Sequence, residues 1–408
     1  IVASKPVDIA VAKVDVTGEK GFITRDITGK DEVQLNVSGS QISGNFNITS
    51  EANAEAAKDE FNIAGGTFKG TVSEDYLAAG VKQDASGNIV ENYVAKIGTV
   101  KYGTLDDAIK AVENGGTIVV NAGEYKLNGS LTYTGKAFTI KAADGMGVSF
   151  DMSAAVALHG AKITFEGVTF DYKTNGNYIG LQHTDTLVYN NCTIKGMVFL
   201  YATNETFNSC TFTQTSADAY NVWTYGAKNV KFNSCTFNCV GKSVLVYNEG
   251  TNTKTDLTVK DTEFIASASV EGKAAIEIDT SLMKDGTTIK VTNTTAKGFA
   301  DGSNSKSTLW NDKKQTEKTN KNTTVTVDGE EVFAPKIAEV GGVVYPSLEA
   351  AFAALSAKDH TLKLLNESVW DAATPVYWAA GEQSGYAAKL TDALTAAYKA
   401  DAGDITIV

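Results

Sequence analysis

Arginine is all but missing from this sequence: Arg25 is the only one among 408 residues. The planar fork that grips a carboxylate at two points is therefore unavailable almost everywhere, and a lysine replaces it only as a point charge. Histidine is nearly as scarce, at His159, His183 and His360, so no nucleophile–His–acid arrangement is evident. Cysteine stops at four residues, too few for a disulfide framework, and the four show neither CxxC spacing nor a histidine partner. Proline is limited to four positions, and no apolar run approaches the ~20 residues of a membrane-spanning helix. Basic residues are outnumbered 36 to 48, a formal net charge of -12. That balance argues against nucleic acid or an anionic membrane surface as partner. The chain opens at Ile1 with neither a methionine nor a signal peptide, and is expected to be a mature protein or an excised piece of a longer one.

What the sequence has in abundance is one short phrase. It reads LVYNNCTI, ETFNSCTF, VKFNSCTF and LTVKDTEF between Leu187 and Phe264, with looser copies ITFEGVTF from Ile163 and IKVTNTTA from Ile289. The third positions are Phe165, Tyr189, Phe207, Phe232, Val259 and Val291, at intervals of 24, 18, 25, 27 and 32 residues. A phrase that keeps its kind while its spacing drifts is what stacked β-coils with loops of variable length produce. Within ETFNSCTF, period-two alternation points Phe207, Cys210 and Phe212 inward and Thr211 outward, with a turn at Asn208 and Ser209. Stacked asparagines at the turn can hydrogen-bond from one coil to the next. Cys192, Cys210 and Cys235 share one repeat position, so they read as a ladder of small buried side chains rather than as ligands.

A second series lies between the copies: YIGL from Tyr178, VFLY from Val198, VWTY from Val222, VLVY from Val244 and AIEI from Ala275. Tyr201, Tyr225 and Tyr247 align, as do Phe199, Trp223 and Leu245. Such a column is either a sugar-stacking platform or an internal stack. Thr224 and Glu277 fall on the opposite parity, which points the aromatic residues inward and leaves no binding residue to nominate. Thr169, Thr193, Thr211 and Thr236 form an outward column, but two residues on stand Asp171, Lys195, Thr213 and Asn238. The flat double-threonine face of an ice binder is therefore lacking, and exposed threonine is ordinary strand chemistry.

Along the chain, residues 1–93 read as the last coils of a first unit, with LNVSGSQISG at Leu35 and FNIAGGTFKG at Phe61 spaced 26 apart. Glu51 to Asp59 is expected as a short helix or loop excursion, and Tyr76 to Val90 as an exit with a final turn. A complete unit occupies 94–335. It opens with a helix carrying Leu105, Ala108, Ile109 and Val112 on one face, capped by Thr104 and stopped by Gly115 and Gly116. Residues 301–322, polar and lysine-rich, read as a loop or ragged last coil. Thr323 to Pro335 returns to strands turning at Asp328 and Gly329. Residues 336–408 hold the openings of a further unit. Tyr345, Leu348 and Ala351 repeat Tyr102, Leu105 and Ala108, and Leu390, Ala393, Leu394 and Ala397 form a third helix face. The fold class expected is all-β: tandem right-handed parallel β-helix (β-solenoid) units with short helical entry caps.

The opening KYGTLDDAIKAVENGGTIVVNAGEY resembles the entry segment of pectate-lyase-like right-handed parallel β-helix proteins. FNIAGGTFKGTVSEDYLAAGV followed by VAKIGTVKYGTLDDAI resembles repeat modules of large secreted or cell-wall-attached proteins of Gram-positive, often gut-dwelling, bacteria. The resemblance implies a secreted or cell-surface location and no particular reaction, since this fold hosts enzymes, adhesins and spikes alike. Enzymes of the family carry a paired-Asp motif, GHG and RIK, or catalytic arginines. Here only LHG at Leu158 to Gly160 echoes these, and Asp171, Asp185, Asp218, Asp261 and Asp279 share no repeat column. The chain is therefore read as non-enzymatic, with no catalytic, cofactor-binding or metal residue and no cofactor. Its expected role is a rigid spacer or adhesive surface meeting host glycans, glycoproteins or neighbouring copies of itself. The alternatives are a polysaccharide lyase or hydrolase, and a head-to-tail filament subunit suggested by the strand-like ends.

Overall fold

The computed structural model describes backbone strands at 7–12, 15–16, 20–24, 33–38, 41–42 and 45–48. It then describes residues 61–408 apart from 64, 69–70, 79, 128–129, 133–135, 155, 160–161, 173–179, 183, 249–253, 281–282, 285, 356–360, 367–375, 388–389, 401–404 and 408. The segment 51–59, Arg25, Tyr178, His183, His360 and the His159 side chain lie outside the described residues. The chain divides into two compact units, Ile1–Val112 with Ile118–Asn121, and Glu113–Thr117 with Ala122–Val408.

In the first unit Val7–Ala12 pairs in parallel with Val33–Ser38, which pairs with Phe61–Ile63, placing Leu35 opposite Phe61 as their 26-residue interval requires. Asp15–Val16, Gln41–Ile42 and Thr67–Phe68 repeat that arrangement. The exit segment ends in a hairpin of Val81–Gln83 with Ile89–Glu91. Its turn is held by the Asp84 carboxylate, which accepts from the Ser86 and Asn88 amides.

The second unit is organised by three parallel sheets that consecutive strands visit in turn. The long sheet stacks Ala137–Ala142, Lys162–Glu166, Thr186–Asn190, Asn204–Asn208, Asn229–Asn233, Asp256–Lys260, Thr287–Thr292 and Thr323–Val327. The middle sheet runs from Gly123–Tyr125 through Thr193–Lys195, Thr211–Thr213 and Thr236–Cys239 to Thr295–Lys297. The short sheet stacks Val198–Phe199, Val222–Trp223, Val244–Val246, Ile276–Ile278 and Trp310–Asp312.

The repeated phrase spans the long and middle sheets, and its chemistry explains the stacking. Phe165, Tyr189, Phe207 and Phe232 stand in register and stack ring on ring, at 4.4 Å for Tyr189 on Phe207. Phe212, Phe237 and Phe264 form a second stack from the middle sheet, meeting the first edge-to-face. Stacked and edge-on pairs both suit the ring quadrupole, so each added repeat contributes aromatic contact beyond its buried area. Cys192, Cys210 and Cys235 are buried and free, as the repeat position requires. Each thiol donates to backbone carbonyls, that of Cys210 to Tyr189 at 3.3 Å. Thr262 continues the column, its hydroxyl donating to the Lys260 carbonyl.

The turn between the two sheets takes a left-handed residue in successive repeats, and Gly167, Asn191, Ser209, Ser234, Asp261 and Asn293 all supply positive φ. Asparagine and aspartate adopt this region at less cost than other side chains, whereas Ser209 and Ser234 hold it without that advantage. One position earlier runs a side-chain amide ladder: Asn208 donates to Asn190 at 2.8 Å and Asn233 donates to Asn208 at 2.9 Å. Asn208 sits in its middle, so Asn208→Ala breaks two bonds. We expect it to lower unfolding stability by about 1–2 kcal/mol, read from a urea denaturation midpoint.

A small motif occurs three times, each a central strand antiparallel to both neighbours with one helix following the second strand. The first joins Ala95–Ile97 to Val100–Tyr102 and Thr117–Val120, with helix α1 at Leu105–Ala111. The second joins Ala338–Val340 to Val343–Tyr345 and Leu362–Leu364, with α2 at Leu348–Ala353. The third joins Val376–Ala380 to Gln383–Ala387 and Ile405–Ile407, with α3 at Leu390–Lys399. Thr104 and Ser347 cap α1 and α2 by accepting from the Asp107 and Ala350 amides. Leu105, Ala108 and Ile109 are buried on α1, as are Leu390, Ala393 and Ala397 on α3.

Residues 301–322 form a last repeat rather than an open loop. Trp310–Asp312 joins the short sheet, and Asn320, Asn322 and Gln315 are buried in a hydrogen-bonded knot. Most of its lysines stay on the exposed side. The following hairpin pairs Thr323–Val327 with Glu330–Phe333 and turns at Asp328 and Gly329, both at positive φ.

Candidate functional site

The short sheet corrects the reading of its aromatic residues. The alignment is right, since Phe199 lies opposite Trp223 and Trp223 opposite Leu245. The direction is reversed at Phe199 and Trp223, whereas Leu245 and Glu277 further along the same column are buried. Val198, Leu200, Val222, Thr224, Val244 and Val246 are the buried parity, while Phe199, Tyr201, Trp223, Tyr225 and Tyr247 are only half-buried. Two polar residues misled the parity argument. Thr224 is fully buried because its hydroxyl donates to the Tyr247 carbonyl at 2.7 Å and accepts from the Tyr247 amide at 2.9 Å. Glu277 pairs opposite Leu245, one residue away from the alignment expected from sequence, and so belongs to the aromatic column rather than against it.

The aromatic residues form a continuous strip across three repeats. Phe199 and Tyr225 stack at 4.7 Å, Tyr201 lies 5.2 Å from Tyr225, and Tyr247 lies 5.4 Å from Trp223. Tyr220, buried, meets Trp223 edge-on at 6.0 Å. Two features set this strip apart. Tyr225 has φ of 46°, a left-handed conformation that is an outlier for a bulky side chain. The indole N–H of Trp223 is buried without a hydrogen-bond partner, the one such side-chain atom among the described residues. An orphan buried donor forfeits about 1–3 kcal/mol, and backbone strain of this kind gathers at functional sites.

Where the chain passes from the middle to the short sheet lies a groove of about 300 Å³. Asp171, Lys195, Thr213, Gln214 and Ser216 contribute polar groups to its lining. Its floor is a close backbone approach at Gly196, where a Cβ would stand 2.2 Å from the Tyr172 carbonyl oxygen. Side chains beyond glycine are excluded there.

At the other end of the column the acids are occupied structurally. Glu277 is fully buried and accepts from the Ala274 amide at 2.8 Å and from the Asn311 side chain, with Lys273 at 3.5 Å. Burial holds its carboxyl above the usual range, against those donors. Asp279 faces Lys313 at 3.7 Å and Lys314 at 4.0 Å. Asp312, buried and bound by Thr280 and by the Lys314 and Gln315 amides, is pushed up by burial to about 6. Their ligands are groups of this chain, so no pair of these carboxyls stands open toward a reacting bond. Comparison with family models, curated proteins and solved structures returns no match.

The other carboxylates singled out from sequence are not gathered. Asp171 lines the groove, whereas Asp261 occupies the left-handed turn position and its side chain accepts from Asn293. Among the described residues no three metal-ligating side chains come together, and no helix is long and apolar enough to cross a membrane. The residue that sequence reasoning passed over is Glu205. It occupies the buried parity of the long sheet between Leu187 and Val230, 2% exposed, and accepts from the Ala202 amide at 3.0 Å. It thereby ties down the turn that carries Tyr201. Its parity with Phe207 was the available signal.

Proposed function

We propose that the three sheets wind as a right-handed parallel β-helix of the pectate-lyase-like kind. On that reading the chain is a non-enzymatic segment of a secreted or cell-surface bacterial protein. It works as a spacer that presents a contact face to glycans or glycoproteins. The observation that carries this reading is the half-exposed aromatic strip of Phe199, Tyr201, Trp223, Tyr225 and Tyr247. Apolar groups gathered in one part-exposed patch are a common mark of an interaction surface. The engagement of Glu277, Asp279 and Asp312 in internal bonds supports the absence of catalysis, because a general acid or base must reach the proton it moves.

The test is turnover on a panel of neutral polysaccharides and polyuronides, followed by reducing-end release and by absorbance of unsaturated products. No product is expected from any of them. Release that is lost on Asp279→Asn or Asp171→Asn would overturn the non-enzymatic reading.

A further inference from the structure

We propose that Lys273 and Asn311 join in an isopeptide bond between their side chains, formed within the chain with Glu277 as proton carrier. The inference stands apart from the contact-face reading, since it concerns one turnover inside the protein and no external substrate. It starts from a shared oxygen. The Lys273 ammonium lies 3.5 Å from Glu277 Oε2, and the Asn311 side-chain nitrogen lies 3.2 Å from that same oxygen. A nucleophile and an amide are thus gathered about one carboxyl.

The carbonyl half of the Asn311 amide is held as well. Its Oδ1 accepts from the backbone amides of Asn304 at 3.0 Å and Ser305 at 3.3 Å. Two fixed N–H groups on one carbonyl oxygen polarise the carbon and stabilise the charge that develops on the oxygen during attack. The backbone brings the lysine to the same place. Gly272, next to Lys273, bridges Gly302, and its carbonyl accepts from the Ser303 amide at 3.1 Å. Gly302 in turn presses on the asparagine, where a Cβ would stand 2.7 Å from Asn311 Cγ. Glu277 and Asn311 are register partners on the adjacent strands Ile276–Ile278 and Trp310–Asp312. Reactants fixed in this way gain from proximity what a bimolecular reaction would lose in entropy.

The step needs no outside reagent. The Glu277 carboxylate takes one proton from the Lys273 ammonium, which leaves a neutral amine and a neutral acid. The amine lone pair forms a new bond to Asn311 Cγ, and the carbonyl pair moves onto Oδ1. Glu277 passes its proton to the Asn311 nitrogen and takes another from Nζ. The Cγ–Nδ2 bond then breaks, ammonia leaves, and Oδ1 regains its double bond. Glu277 ends protonated, the form its full burial favours once the neighbouring cation is gone. The Lys273 side chain, 28% exposed, marks the side from which ammonia escapes. Such a bond ties two successive repeats covalently, so that neither peels from the other.

Intact-mass measurement of the full folded chain tests this, followed by tandem mass spectrometry of its protease digest. The parent is expected to be lighter than its sequence by one ammonia, and to yield a branched peptide joining Lys273 to Asn311. Lys273→Arg keeps the cation at a part-exposed place, and Glu277→Gln keeps an acceptor without the proton carrier. Both variants are expected to keep the full mass, with folding confirmed by cooperative urea curves. Should Glu277→Gln fail to fold, Lys273→Arg carries the test. A parent that still has its full mass after long incubation at neutral pH would overturn the proposal. So would an ammonia loss that persists in Lys273→Arg, one that maps to a different asparagine, or undiminished bond formation in Glu277→Gln.

Discussion

Replacing Glu205 by glutamine is expected to stabilise the protein at pH 8 and to change little at pH 4. Burial pushes the Glu205 carboxyl from an ordinary 4.5 to about 8, against the opposing pull of the Ala202 and Tyr201 amides. A carboxyl raised on folding binds its proton more tightly in the native state. Its contribution is therefore most favourable below the unfolded value near 4.5, falls as pH rises toward 8, and is level above that. At roughly 1.4 kcal/mol per unit, the loss across that window is on the order of 3–5 kcal/mol. Glutamine keeps an oxygen to accept from the Ala202 amide and carries no charge, so Glu205→Gln should be nearly flat over the same range. The difference between the two proteins isolates Glu205 from Asp312 and Glu277, which also titrate upward on burial. Urea midpoints measured at half-unit steps from pH 4 to pH 9 check it. Parallel curves for the two proteins would show that the carboxyl titrates normally.

The second large effect separates the two aromatic columns. Phe207 is buried between Tyr189 and Phe232 and meets Phe212 edge-on. Phe207→Ala opens a cavity that neighbouring repeats cannot close without leaving register. We expect it to cost about 3–5 kcal/mol. Phe199→Ala, in the half-buried strip, is expected to cost less, about 1–2 kcal/mol, for its contacts with Trp223 and Tyr225. Had the strip been a core stack, as its alignment alone suggests, the two substitutions would be comparable. Equal losses in paired denaturation curves would return Phe199 to the interior.

The contrast also shows where the sequence was informative. The phrase around Phe207 was legible because it places two alternating strands on either side of a turn of fixed length, so each side chain's direction is fixed twice. The asparagine and cysteine ladders follow from the same register, and the three helix openings from cap residues and apolar spacing. The short sheet had no such redundancy. Its strands are two or three residues long, too short for alternation to vote, and two polar residues, Thr224 and Glu277, decide the direction. A hydroxyl such as that of Thr224 reads as outward in sequence, yet its bonds to the Tyr247 backbone remove the cost of burial. Glu277 was placed one residue off because an insertion in the preceding loop is invisible without pairing. The polar groove was illegible for a different reason. The repeat does align Asp171, Lys195 and Thr213 in one column, as the register bears out, but the phrase does not show that the segment after each middle strand leaves a groove there.

That register has a genetic consequence. The interval between equivalent positions ranges from 18 to 32 residues, yet each phrase presents the same strand edge, an apolar side chain at the same place and the same kind of turn to the next. A recombination event that removed or copied one full interval, from Asn190 to Asn208 for instance, would join two surfaces already matched to each other. Length is therefore a quantity that such a gene can change in whole steps, and the loops absorb further variation, whereas a one-residue deletion inside a strand would turn the rest of that strand to the wrong face.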